Sequence, residues 1–138
     1  MGIRANITLT DANPTTPVNR VYYPTEMTGK VLNYVDRTQA IAAGQNKLSV
    51  SQVASSASSP TYKVKWKLVN PVLAQSSPST ASGIQPAPQV AYTNLATIDF
   101  VLHERATAQE RKDLLAQLRD LIDEAIVTNQ VESLDLIW

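Results

Sequence analysis

The stretch Tyr62-Lys63-Val64-Lys65-Trp66-Lys67-Leu68-Val69-Asn70-Pro71 alternates lysine with large apolar side chains. Successive side chains of an extended strand point to opposite faces of a sheet. Extended over residues 61 to 69, the segment puts Lys63, Lys65 and Lys67 on one face and Tyr62, Val64, Trp66 and Leu68 on the other. One face is made for burial. The other repeats positive charge at strand spacing, which becomes useful when a polyanion lies across it. The plainer reading is a solubilised face whose lysines resist edge-to-edge pairing of sheets.

The flanking sequence supplies further strands. Asn46 to Val53 alternates again, with Leu48 and Val50 on one face and Lys47, Ser49 and Ser51 on the other. The uncharged loop Ala54 to Pro60 joins it to the lysine strand as an antiparallel hairpin, and that pairing extends the cationic face by Lys47. Upstream, Ile3, Ala5, Ile7 and Leu9 alternate with polar residues, and Asp11-Ala12-Asn13-Pro14 turns the chain. Asn19 to Tyr23 then reads as a returning strand ending at Pro24, and Lys30 to Asp36 as a third. Downstream, Tyr92 to Val101 is a sixth extended segment. Tyr92 and Asn94 share a parity and are expected on the lysine face. There the tyrosine would stack on an unpaired base, worth about 1–3 kcal/mol, or pack across strands on its neighbours. Asn94 would pair with a base edge or a ribose hydroxyl.

Between these segments, Pro71 to Gln89 holds four of the eight prolines and no charge. It reads as a long loop inside one domain rather than a linker, because neither flank would stand alone. The C-terminal third changes period. Leu114, Leu115, Leu118, Leu121, Ile122, Ala125 and Ile126 form one helical stripe. Thr107 with Glu110 is a capping box that starts a helix spanning 108 to 127, and Asn129 with Glu132 repeats the signal for a second, short helix. The stripe must be buried, and the sheet face bearing Trp66, Leu48 and Val50 is the surface to meet it. Strands first and helices last make an α+β two-layer design.

At 138 residues the chain has the length of one domain. No apolar run reaches the length of a membrane span, and the N-terminal residues lack the basic and apolar regions of a signal peptide, so no membrane partner is expected. There is no cysteine. The formal net charge of zero conceals a segregation. Met1 to Lys67 carries eight Lys and Arg against three Asp and Glu, while His103 to Trp138 carries four against eight. A basic part and an acidic part in one domain argue for a polyanion on one side only.

Catalytic signals are weak. The lone His103 falls between the last strand and the helix cap, where an exposed loop residue is the plain expectation. Gly29-Lys30 lacks the upstream glycine of a phosphate loop, and no His/Cys cluster has metal-ligand spacing. No catalytic residue, metal or cofactor is expected, and the protein is read as no enzyme.

Several of these stretches, in this order and spacing, resemble the coat proteins of the single-stranded RNA bacteriophages, the leviviruses. Leu48-Ser49-Val50-Ser51-Gln52 and Tyr62 to Pro71 look like that family's central strands, and Ala91-Tyr92-Thr93-Asn94 resembles the start of its last strand. Glu110-Arg111 and Asn129-Gln130-Val131-Glu132 resemble its C-terminal region. The resemblance implies an antiparallel sheet with an N-terminal hairpin (1–24), strands over 30–101 with a flexible loop at 71–89, and two C-terminal helices (108–138), all in one coat-protein domain. It further implies an interlocked homodimer in which each subunit's helices cover the partner's sheet, and an icosahedral shell of dimers around a single-stranded RNA genome. Assembly in the bacterial host cytoplasm and a place in the virion follow from the same likeness. By resemblance, a genomic stem–loop would meet Lys47, Ser49, Ser51, Lys63, Lys65, Lys67, Tyr92 and Asn94, and its binding would repress translation. Some relatives carry threonine where Lys47 and Lys63 stand, and many have basic residues where this chain has Ala54 to Ser59. The rival readings are a cellular sheet-type reader of single-stranded RNA and a dimeric scaffold whose lysines only solubilise.

Overall fold

The computed structural model describes residues 4–74 and 89–137. Six strands, β1 (Ile7–Thr10), β2 (Asn19–Thr28), β3 (Val31–Asp36), β4 (Lys47–Val53), β5 (Thr61–Leu73) and β6 (Val90–His103), form one sheet in chain order. Every neighbouring pair is antiparallel. Two helices follow, α1 (Ala108–Asp123) and α2 (Ala125–Glu132). The architecture is the expected α+β one. Most of the loop expected at 71–89 lies outside the described residues.

Two strands outrun their expected ends, each through a proline. β2 continues past Pro24 to Thr28 with a shift of register between Pro24 and Met27. β5 continues through Pro71 to Leu73. Proline is tolerated where one flank of a strand is open. The pairing of β1 with β2 stops at Ile7↔Tyr22, and that of β4 with β5 stops at Lys47↔Val69. Gly29 opens the tight β2–β3 turn at φ 61, a conformation glycine adopts without a Cβ penalty.

The core lies on one face of the sheet. Tyr22, Leu32, Tyr34, Leu48 and Val50 are buried there, and Ile7, Val64, Trp66 and Leu68 pack against them. Burial pushes the Tyr22 phenol up from its ordinary range, and the carboxylate of Asp36 adds to the shift. Asp36 is itself buried and accepts from the Thr38 backbone N–H and hydroxyl. Arg20 reaches it at 3.9 Å and holds Asp11 at 3.0 Å, so one guanidinium ties the N-terminal hairpin to β3.

Thr107 and Glu110 form the expected reciprocal cap of α1. The helix does not run to residue 127, however. Glu124 is extended (φ −65, ψ 141) and breaks it, and α2 starts at Ala125. Asn129 and Glu132 therefore lie inside α2 rather than at the start of a helix. The Asn129 carbonyl instead takes the N–H groups of Ser133 and Asp135 as the helix closes, with Leu134 at φ 58.

Neither helix contains a buried residue. Leu121, Ile122 and Ile126 are all at least half exposed. Only the first turns of α1 lean over the sheet, where Arg111, Leu114 and Leu115 share a cleft of about 350 Å³ with Val64, Trp66, Phe100 and Leu102. The chain's own sheet therefore does not bury the helical stripe. The chain exposes 10,799 Å², whereas a compact monomer of its mass exposes about 7,100 Å². Such an excess, with apolar residues on it, marks a subunit that completes its core elsewhere.

The hairpin loop supplies a pH test. The Asp11 carboxylate accepts from the N–H groups of Val18 (2.8 Å) and Asn13 (3.2 Å) and from Arg20 Nε (3.0 Å). The Val18 N–H above all holds its carboxyl below the ordinary 3.8. A carboxyl lowered on folding contributes stability above its unfolded pKa, and the contribution is lost as pH falls through the folded one. In urea titrations, Asp11→Asn is expected to lower the midpoint at pH 6, with the gap to wild type narrowing as pH falls below the ordinary carboxyl value of 3.8. A gap independent of pH would remove Asp11 from the acid response.

Candidate nucleic-acid interface

Strand pairing sorts side chains into rows, because directly opposed residues share a face. On one face the rows across β3, β4, β5 and β6 are Val35–Lys47–Val69–Leu95, Asn33–Ser49–Lys67–Thr97 and Val31–Ser51–Lys65–Asp99, followed by Val53–Lys63–Val101. On the other face they are Tyr34–Leu48–Leu68–Ala96 and Leu32–Val50–Trp66–Ile98. Lys47, Ser49, Ser51, Lys63, Lys65 and Lys67 therefore share one surface, opposite the core.

All four lysines are exposed, and among the described residues none forms an ion pair. Asp99, opposite Lys65, is the one acid in these rows. The three β5 lysines recur about every 6.7 Å, inside the Debye length of about 8 Å at physiological salt. They repel one another, and an anion laid across them relieves that repulsion. Two depressions indent the surface. One of about 380 Å³ is lined by Ser51, Lys63, Lys65 and Asp99 among others. The larger, about 520 Å³, includes Asn33, Val35, Lys47, Ser49 and Lys67.

Tyr92 and Asn94 are not on this surface. The register runs without interruption from Thr61↔His103 to Val72↔Tyr92, so both follow the parity of Trp66. Asn94 opposes Asn70, whose side-chain oxygen is buried and takes no hydrogen bond. Thr93, Leu95 and Thr97 are the β6 residues that share the lysine rows. The sequence shows that Tyr92 and Asn94 agree with each other. Only their alignment with β5 decides which face they take. His103 ends β6, and its Nδ1 accepts from the Arg105 N–H at 3.2 Å, a turn contact. Sequence reasoning also passed over Tyr23, which opposes Val35 and so joins the lysine face. Its neighbour Tyr22 belongs to the core, and that alternation was the available signal.

Residues 3–138 match the family described as levivirus coat protein. The chain belongs to that family. A levivirus coat protein is a structural component of the virion capsid, and the solved relatives agree with this. The coat subunit in the virus-like particle of bacteriophage ESE058 superposes with a TM-score of 0.90 at 30% identity, covering 99% of this chain and 100% of that one. The corresponding values for the virus-like particle of bacteriophage NT-214 are 0.80, 29%, 97% and 98%. An unassembled coat protein dimer, described as a bacteriophage RNA-binding dimer, shares the fold at TM-score 0.65 and 17% identity, covering 98% of each chain. No curated protein matches the chain.

Placement on the Trp66 face changes what Tyr92 should do. Tyr92→Ala is expected to weaken subunit association by about 1–2 kcal/mol, as truncation of an interface aromatic does. RNA affinity should stay within about twofold. Sedimentation for association and filter binding for RNA separate the two. A dimer of undiminished stability with an RNA affinity reduced about tenfold would return Tyr92 to the lysine face.

Proposed function

We propose that two copies of this chain interlock into a dimer, that dimers close into an icosahedral shell, and that the lysine face binds the single-stranded RNA genome within it. The whole chain acts as one coat-protein domain in this reading. The observation that carries it is a division of labour across one sheet. One face is cationic and uncovered, while the other is apolar and left largely open by the chain's own helices.

A second copy meets both needs of the apolar side. β6 is a sheet edge, free to pair with the same strand of a partner, and Tyr92 on its apolar side is 60% exposed. The partner's helices then bring the stripe of α1 to the sheet. Each large side chain fully buried in that way contributes about 1.5–3 kcal/mol. Burying the apolar face in a dimer leaves the cations turned the other way. The acidic helices form the outside of the shell and the lysines its lining. The preferred ligand is a genomic stem–loop, and its occupancy represses translation of the message that carries it. Assembly takes place in the cytoplasm of the bacterial host.

Replacing Lys63, Lys65 and Lys67 together with alanine tests this reading. Each phosphate contact contributes about −0.7 to the slope of log affinity against log salt for single strands, so losing three should flatten the slope by about 2. Dimers of the variant should remain intact. An unchanged slope would remove these lysines from RNA binding.

A further inference from the structure

We propose that Tyr23, Arg37 and Glu26 build a subsite at the outer end of the lysine face for one unpaired RNA base bearing an exocyclic amine. The proposal rests on the reading that this face binds RNA, and it names what the face recognises beyond phosphate.

With Tyr92 on the Trp66 side, the β6 end of the lysine face has no aromatic ring among the described residues. Among the described residues, Tyr23 is the aromatic side chain that the strand register assigns to this face. It stands in line with Val35, Lys47 and Val69. β1 stops pairing at Tyr22, so no strand pairs with Tyr23 on its outer side, and the residue is 41% exposed. The Arg37 guanidinium lies over it, 5.9 Å from the ring centroid. Tyrosine and a planar cation in this arrangement offer a flat, partly desolvated platform, and unpaired RNA bases stack on either kind of plane.

The 520 Å³ depression begins beside this platform. Arg37 and Val35 line it, as do Lys47 and Lys67. Glu26 lines it as well, and its presence follows from a backbone irregularity. The β2–β3 register shifts between Pro24 and Met27, which inserts one extra residue into β2. The Thr25 hydroxyl pins the bulged segment to the Asn33 carbonyl at 3.2 Å. A bulge of this kind re-aims side chains, here toward the depression. A carboxylate is a poor neighbour for phosphate. It is a good acceptor for the exocyclic amine of adenine, cytosine or guanine, whereas uracil has no such amine and presents a single N3–H between two carbonyl acceptors that face the carboxylate unfavourably. Platform, acceptor and two flanking ammonium groups match the three parts of such a nucleotide: ring face, amine and phosphate.

The test uses dimers of the full chain and three short probes of equal length: oligoadenylate, oligouridylate and an abasic strand that keeps the phosphates. Wild type is expected to bind oligoadenylate about tenfold tighter than the abasic strand. Tyr23→Leu should abolish that advantage and leave abasic binding and its salt slope unchanged. Arg37→Lys, which keeps the charge and loses the plane, should reduce it, and it carries the test alone if Tyr23→Leu fails to dimerise. Glu26→Ala should erase the preference for adenylate over uridylate. Should wild type show no advantage for bases, or Tyr23→Leu and Arg37→Lys both keep it, the subsite is overturned. In either case the lysine triple variant still reports independently on the face. If the triple variant binds all three probes like wild type, the RNA face and the subsite fall together.

Discussion

The pairing of β5 with β4 and β6 is the constraint on which the rest of this structure depends. Because side chains alternate with a period of two, a slip of one residue would carry Lys63, Lys65 and Lys67 into the core and Trp66 into water. The observed register prevents that at both borders. Val50 and Ile98 flank Trp66, whereas Ser49 and Thr97 flank Lys67. Burying Trp66 and its neighbours is worth several kcal/mol and misplacing three ammonium groups costs more, so register and charge placement reinforce each other. The cationic surface is thus a consequence of the apolar one.

That apolar surface is unfinished within a single chain. The most exposed hydrophobics lie on β6, along both helices and beyond α2, and neither helix contains a buried residue. The break at Glu124 redirects the chain after α1, and Leu134 adopts a left-handed conformation at the end of α2, which costs a residue with a Cβ about 1–2 kcal/mol. These features have no return in the isolated chain. The proposed dimer, in which a second copy receives the helices, would give them one, and it would tie stability to shell assembly.

Much of this was legible in the sequence, and the misses share a cause. The lysine strand, its hairpin with β4, the Thr107 cap and the helical stripe all announce themselves through local periodicity or a fixed residue spacing. Tyr92 and Asn94 went to the wrong face because parity relates residues within a strand, while the face is decided by pairing to another strand. Pro24 and Pro71 looked like strand ends because the sequence does not reveal that one neighbour stops short of each. Asn129 and Glu132 imitate a capping box. Their spacing is also that of two ordinary residues within a helix, and only the extended backbone at Glu124 shows where α2 begins. The helical stripe is legible as apolar, but no pattern within one chain shows that its own sheet leaves it exposed.

The side of the sheet that touches RNA decides how this coat protein works. Ultraviolet cross-linking of RNA inside assembled particles, followed by peptide mapping, reads this directly. Adducts should fall on peptides carrying Lys47 to Ser51 and Lys63 to Lys67 of β4 and β5, with none on α1 or α2. Adducts concentrated on the helices, with the lysine strand unmarked, would contradict it.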